Sequence, residues 1–247
     1  MGRIEDMDRR IPVGLMVAAV LLLTLMLPRI LPEPAEKAPE PTQAPEQPRA
    51  SATQPYTGPR IEFPCGLADG QLEIGSLFSF SGINPDCGKQ EGENIAAIRL
   101  RNVSDSFLAR GELTLTLPDG SVLNFEVTDL PAGSTAMVFS SRNQILAPGT
   151  FCTDLFWEGE FGEPDNALME MLAVSAQDVT VTVTNLLDRD LHNLVVYCRS
   201  RFGDDYFGGV TYMYTIEELP AGGTANVEAW DCIPGTAEVV RIAMNES

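Results

Sequence analysis

From about residue 70 onward, apolar side chains recur at every second position. In ELTLTL (112–117), Leu113, Leu115 and Leu117 share one face and Thr114 and Thr116 the other. VLNFEV (122–127) alternates Leu123, Phe125 and Val127 against polar neighbours, and VTVTVT (179–184) alternates valine with threonine. VTYMYT (210–215) and EVVRIAM (238–244) read the same way. A period of two puts successive side chains on opposite faces of a sheet, so each run predicts a half-buried strand. LPDG (117–120) joins the first two as a turn, Pro118 and Asp119-Gly120 supplying its backbone geometry. MLAVSA (171–176) fits either a strand or one turn of helix. Past the N-terminal apolar run, no segment carries a helical stripe.

The strand pattern repeats. AAIRLRNVSDSFLARGELTLTL in the first half aligns with VTVTVTNLLDRDLHNLVVYC in the second. Asn102 stands six positions before Leu108, as Asn185 stands before Leu191. Each copy continues through a hairpin to a nonamer, LPAGSTAMV (130–138) or LPAGGTANV (219–227), followed by another strand. In the nonamer, proline fixes φ and ends one strand, glycine permits a left-handed turn, and Thr-Ala-x-Val opens the next strand. It is not a sortase signal, because its fourth residue is glycine and each copy leads into a strand. The second hairpin is longer than the first, 34 residues from Asn185 to Leu219 against 28 from Asn102 to Leu130, and the extra residues fall around RSRFGDDYFGG (199–209), as insertions do at exposed loop tips. Short alternating strands with turns at this spacing predict an all-β chain: two tandem antiparallel immunoglobulin-like β-sandwiches, at 70–172 and 177–247.

Two segments precede them. Residues 11–31, IPVGLMVAAVLLLTLMLPRIL, carry a single charge, Arg29. At about 1.5 Å per residue, a helix of this length crosses the ~30 Å hydrocarbon core. Small residues of a cleavage site do not follow it, which favours a retained anchor over a cleaved signal. Arg3, Arg9 and Arg10 lie before the span, so residues 1–10 are expected in the cytoplasm and the remainder outside. Residues 32–60 are rich in proline with alanine, glutamate and glutamine between, the composition of an extended stalk.

Charge narrows the partners. Residues 1–60 balance seven basic against seven acidic side chains, so the net charge of −19 belongs to residues 61–247, with 9 basic and 28 acidic. Such a surface repels nucleic acid and favours cationic partners.

Asn185, its spacing to LHNLVVYC, YFGGVTYMYTI (206–216) and LPAGGTANV together resemble the FxLYD-type domain of bacterial cell-envelope proteins. The first copy resembles it more loosely. The layout of anchor, stalk and tandem sandwiches is similar to membrane-anchored surface proteins of Firmicutes. The resemblance implies a fold and a plasma-membrane setting, and it brings no catalytic residues with it.

Five cysteines remain to be placed, none in a C-x-x-C motif. Outside the membrane, disulfides are permitted. Strand direction puts Cys198 and Cys232 at one pole of the second sandwich, and Cys87 and Cys152 at one pole of the first. Disulfides Cys198–Cys232 and Cys87–Cys152 are therefore expected, with Cys65 left over and Cys65–Cys87 as the rival. The single histidine, His192, sits in a turn, where a structural role is expected. EGEFGEPDN (158–166) beside Phe156 and Trp157, and Asp204-Asp205 beside Tyr206 and Phe207, are acidic segments flanked by aromatics. Trp157, Glu158, Glu160, Asp204, Asp205, Tyr206 and Phe207 are thus the candidate binding residues. Neither segment follows a D-x-D-x-D-G calcium pattern, so no metal or cofactor is expected. The expectation is a non-catalytic, membrane-anchored extracellular protein that binds an unknown protein or cell-wall partner. A structural spacer and a carboxylate-dependent hydrolase are the alternatives.

Overall fold

The computed structural model describes residues 56–163 and 167–245; the expected span at 11–31 and nearly all of the stalk lie outside the described residues. Among the described residues no helix is long and apolar enough to cross a membrane. The described residues are all-β, punctuated by single turns of 3-10 helix such as Pro85–Cys87 and Met169–Met171.

Among the described residues thirteen strands follow one another: β1 (Cys65–Leu67), β2 (Leu72–Asn84), β3 (Gln90–Asn102), β4 (Phe107–Thr116), β5 (Val122–Leu130), β6 (Thr135–Asn143) and β7 (Asp154–Gly162), then β8 (Leu172–Gln177), β9 (Thr180–Asn185), β10 (Leu191–Phe202), β11 (Asp205–Leu219), β12 (Thr224–Glu228) and β13 (Ala237–Met244). MLAVSA resolves into a 3-10 turn followed by strand β8.

The duplication is visible in the pairing. In the first unit, β2-β3-β6 form one layer and β5-β4-β7 the other; in the second, β8-β9-β12 and β11-β10-β13 repeat that order. β8 therefore opens the second unit at Leu172, five residues before the boundary expected at 177. One core lies between the first pair of layers, built from Ile74, Ile98, Leu100 and Val138 facing Leu113, Leu115, Phe125 and Val127. The second core sets Val181, Val183 and Val227 against Leu194, Val196, Ile216 and Ile242. The alternation read from the sequence supplies these inward faces. Their burial is the main favourable term, at roughly 25 cal/mol per Å² of apolar surface.

The paired asparagines explain the paired nonamers. Asn102 is fully buried; its Nδ2 donates to the carbonyls of Ser106, Leu130 and Pro131, and its Oδ1 accepts from Ser104 N–H at 3.2 Å. Asn185 repeats the set with Arg189, Leu219, Pro220 and Leu187 N–H. Each asparagine thus ties the turn after its own strand to the Leu-Pro carbonyls of its nonamer. Buried carbonyls without donors are costly, so the two motifs occur together.

Candidate functional site

The insertion at 199–209 does not project into solvent. It extends β10 and β11 until Asp205, Tyr206 and Phe207 pair in parallel with Thr135, Ala136 and Met137 of β6. The second unit thereby adds a strand to the first unit's β1-β2-β3-β6 layer. Phe207 packs against Phe80 and Phe139, with ring centroids 5.7 and 5.1 Å away, and against Phe202 at 5.1 Å. Tyr206 is 4% exposed, and its hydroxyl donates to Glu238 at 2.9 Å. Asp205 pairs with Arg99 at 2.6 Å. Of the four candidates on this hairpin, only Asp204 at the turn stays exposed. The expectation of an exposed binding loop is corrected on this point: the aromatics cover apolar surface on the outer face of the first unit. That surface is Ile95, Ala97 and Phe139, with Phe78 and Phe80 beside them. The signal was present as the unbroken run IAAI (95–98), since a strand apolar on both faces must be covered on both.

The acidic segment at 158–166 is corrected in part as well. Residues up to Gly162 belong to β7, which pairs along β4. Leu155, Trp157 and Phe161 turn inward onto the first core, while Glu158 and Glu160 point to solvent on the outer face. Trp157 fills the space that Gly111 and Gly159 leave open. Here a period of two lay beneath the acidic composition.

At the junction Arg199 is 1% exposed. Its Nη1 donates to Thr128 O at 2.8 Å and its Nη2 to Gly208 O at 2.6 Å, so one guanidinium holds both units. Its Nε finds no acceptor. Asp86, in the turn after β2, accepts from Gly209 N–H at 2.7 Å and Val210 N–H at 3.3 Å. Burial raises the Asp86 carboxyl above the usual carboxylate value, against the lowering by those N–H groups and Arg199. Asp129, buried opposite Arg241 at 3.0 Å, is also raised, burial outweighing the arginine. Tyr212 O–H donates to Pro85 O at 2.6 Å across the same junction.

Beside this junction is a cleft of about 360 Å³. Asn84, Asp86, Glu112, Glu126 and Ser140 line it, over a floor that includes Phe125 and Phe139. It opens where β5 and β6 part, for the two strands meet only at Phe125–Ser140.

All five cysteines are free thiols. Cys198 and Cys232 are buried in the second core. Burial, then the neighbouring Cys232, pushes the Cys198 thiol up to about 12; burial pushes Cys232 to about 11. Cys152 is buried and paired through its backbone with Ile61. Burial, then the neighbouring Cys65, pushes the Cys152 thiol up to about 12. Cys87 is exposed in the turn after β2. His192 is exposed on β10. Among the described residues no group of three or more His, Cys, Asp or Glu side chains converges as a metal site. No family model matches the chain, and no curated protein matches it.

Proposed function

We infer that the chain is a membrane-anchored extracellular binding protein of a bacterial cell envelope, without catalytic activity, whose two β-units are immunoglobulin-like sandwiches of the FxLYD kind. The observation that carries this reading is the order of its parts. An apolar run preceded by arginines is followed by a proline-rich spacer and then by a duplicated, strongly acidic β-unit. The carboxylates of the cleft offer little to a hydrolase. Asp86 is committed to two backbone N–H groups and Glu112 to Arg110, which leaves no free pair to divide acid and base roles.

Protease added to intact cells should degrade the β-units and spare an epitope fused before residue 11. Degradation only after permeabilisation would overturn the orientation. Immobilised full-length chain should retain an envelope component at physiological salt. A second reading, a spacer that fixes distance from the membrane, is favoured by one observation: the insertion that distinguishes the second unit is spent on docking to the first. Neutralising Glu158, Glu160 and Asp204 separates the two, since a spacer tolerates the change and a binder using these outer faces loses retention.

A further inference from the structure

The geometry points to the cleft between β5 and β6 as the seat of an extended basic peptide, with a lysine or arginine side chain against Glu126 and Asp86. This rests on the binding reading above and specifies its ligand.

Three features carry the assignment. The first is backbone. β5 pairs with β4 along most of its length, but with β6 only at Phe125–Ser140. On the side of that bridge away from β11, residues 122–124 of β5 and 141–143 of β6 have no ladder partner across the cleft, the arrangement that accepts an added strand through main-chain hydrogen bonds. The second is charge. No basic side chain lines the cleft. Glu126 has no cationic partner among the described residues and is close enough to Asp86 to raise its carboxyl further. Two neighbouring carboxylates repel, and a ligand cation between them removes that cost. The third is an orphaned donor. Asn84 is 5% exposed, and its Oδ1 accepts from Asp86 N–H at 3.0 Å. Its Nδ2 meets no acceptor among the described residues, yet it is not sealed from solvent as Arg199 Nε is. Ser140, 2% exposed, accepts from Arg142 N–H and keeps its own O–H to give. A peptide supplies what these groups lack: carbonyl oxygens for Asn84 and Ser140, and a cation for Glu126.

The test uses the full-length chain in mild detergent and a fluorescent hexapeptide of alternating lysine and threonine, read by anisotropy. Saturable binding is expected, lost when the lysines are acetylated. Glu126→Gln should weaken it about fivefold, the effect of removing one exposed charge partner. Glu217→Gln, which changes net charge equally but lies outside the cleft, should leave it unchanged. Asn84→Ala should weaken it as well; Glu126 is solvent-exposed, so its variant keeps the test valid if Asn84→Ala fails to fold. Absence of saturable binding overturns the assignment, as does equal weakening by Glu126→Gln and Glu217→Gln. Competition by a neutral disaccharide such as maltose also overturns it, by making the cleft a polyol site. Failure of the peptide with envelope retention intact sinks the cleft and leaves the binding reading. Lost retention with peptide binding intact does the reverse.

Discussion

Arg199 is held in place by what surrounds it. Its guanidinium spans Thr128 of one unit and Gly208 of the other while Asp86 lies near enough to favour its charge, and burial lowers its pKa without neutralising it. Arg199→Met keeps most of the volume but strips those carbonyls of their donor and Asp86 of a nearby positive charge. The loss should be about 3–5 kcal/mol, measured by urea unfolding of residues 54–247. A change below ~1 kcal/mol would mean that water replaces the guanidinium. The cysteines give a second test at this scale. Cys198 lies by Cys232 and Cys152 by Cys65, so oxidation by a disulfide reagent should yield peptides Cys198–Cys232 and Cys65–Cys152. In the reduced native chain, exposed Cys87 should alkylate first, followed far more slowly by the buried thiols. A Cys87–Cys152 peptide would restore the pairing expected from strand direction alone.

At the scale of elements, the β10–β11 hairpin decides how the units join. Gly208 has φ 104° and lies at a register shift in the hairpin, where the chain turns against β5. A Cβ on the next residue, Gly209, would stand 2.0 Å from Glu126 O, which is backbone and cannot give way. Gly209→Ala should therefore force the hairpin off β5 and cost about 1–3 kcal/mol. It should also speed proteolytic cleavage near residues 203–205, because Asp205–Phe207 lose their parallel partner. Unchanged protease resistance would show that the hairpin docks without this close approach.

For the whole molecule, the junction acids set a pH dependence. The Asp86 and Asp129 carboxyls are both raised above 3.8, chiefly by burial. The native state holds their protons more tightly than the unfolded chain. Their contribution to stability is then fully present below about 3.8 and is lost as pH rises through the raised native values. These groups oppose acid unfolding, whereas the many exposed carboxylates give the molecule its negative field. Carbon-detected NMR titration should find both midpoints above 3.8. A midpoint at or below that value for either would reverse the sign of its contribution.

Much of this protein is local, and the sequence by itself determined it. The period of two in ELTLTL, VLNFEV and VTVTVT fixed which side chains face inward, because strand geometry alternates faces whatever the neighbours are. The duplication was legible from Asn102 and Asn185 and from the nonamers, since each asparagine satisfies the leucine and proline carbonyls of the nonamer that follows it in its own copy. Other features required contacts between residues far apart in sequence. The hairpin at 199–209 looked like an exposed tip because the run IAAI shows that a cover is needed but not which distant segment supplies it. Cys152 meets Cys65 because the segment at Ile61 pairs with it, a partnership that strand direction does not predict. The cleft exists only because β5 and β6 diverge after one bridge while β11 presses against β5. Hydrophobic pattern specifies which face of a strand is buried; which surface buries it, and where two strands part, is settled by the packing of both units together.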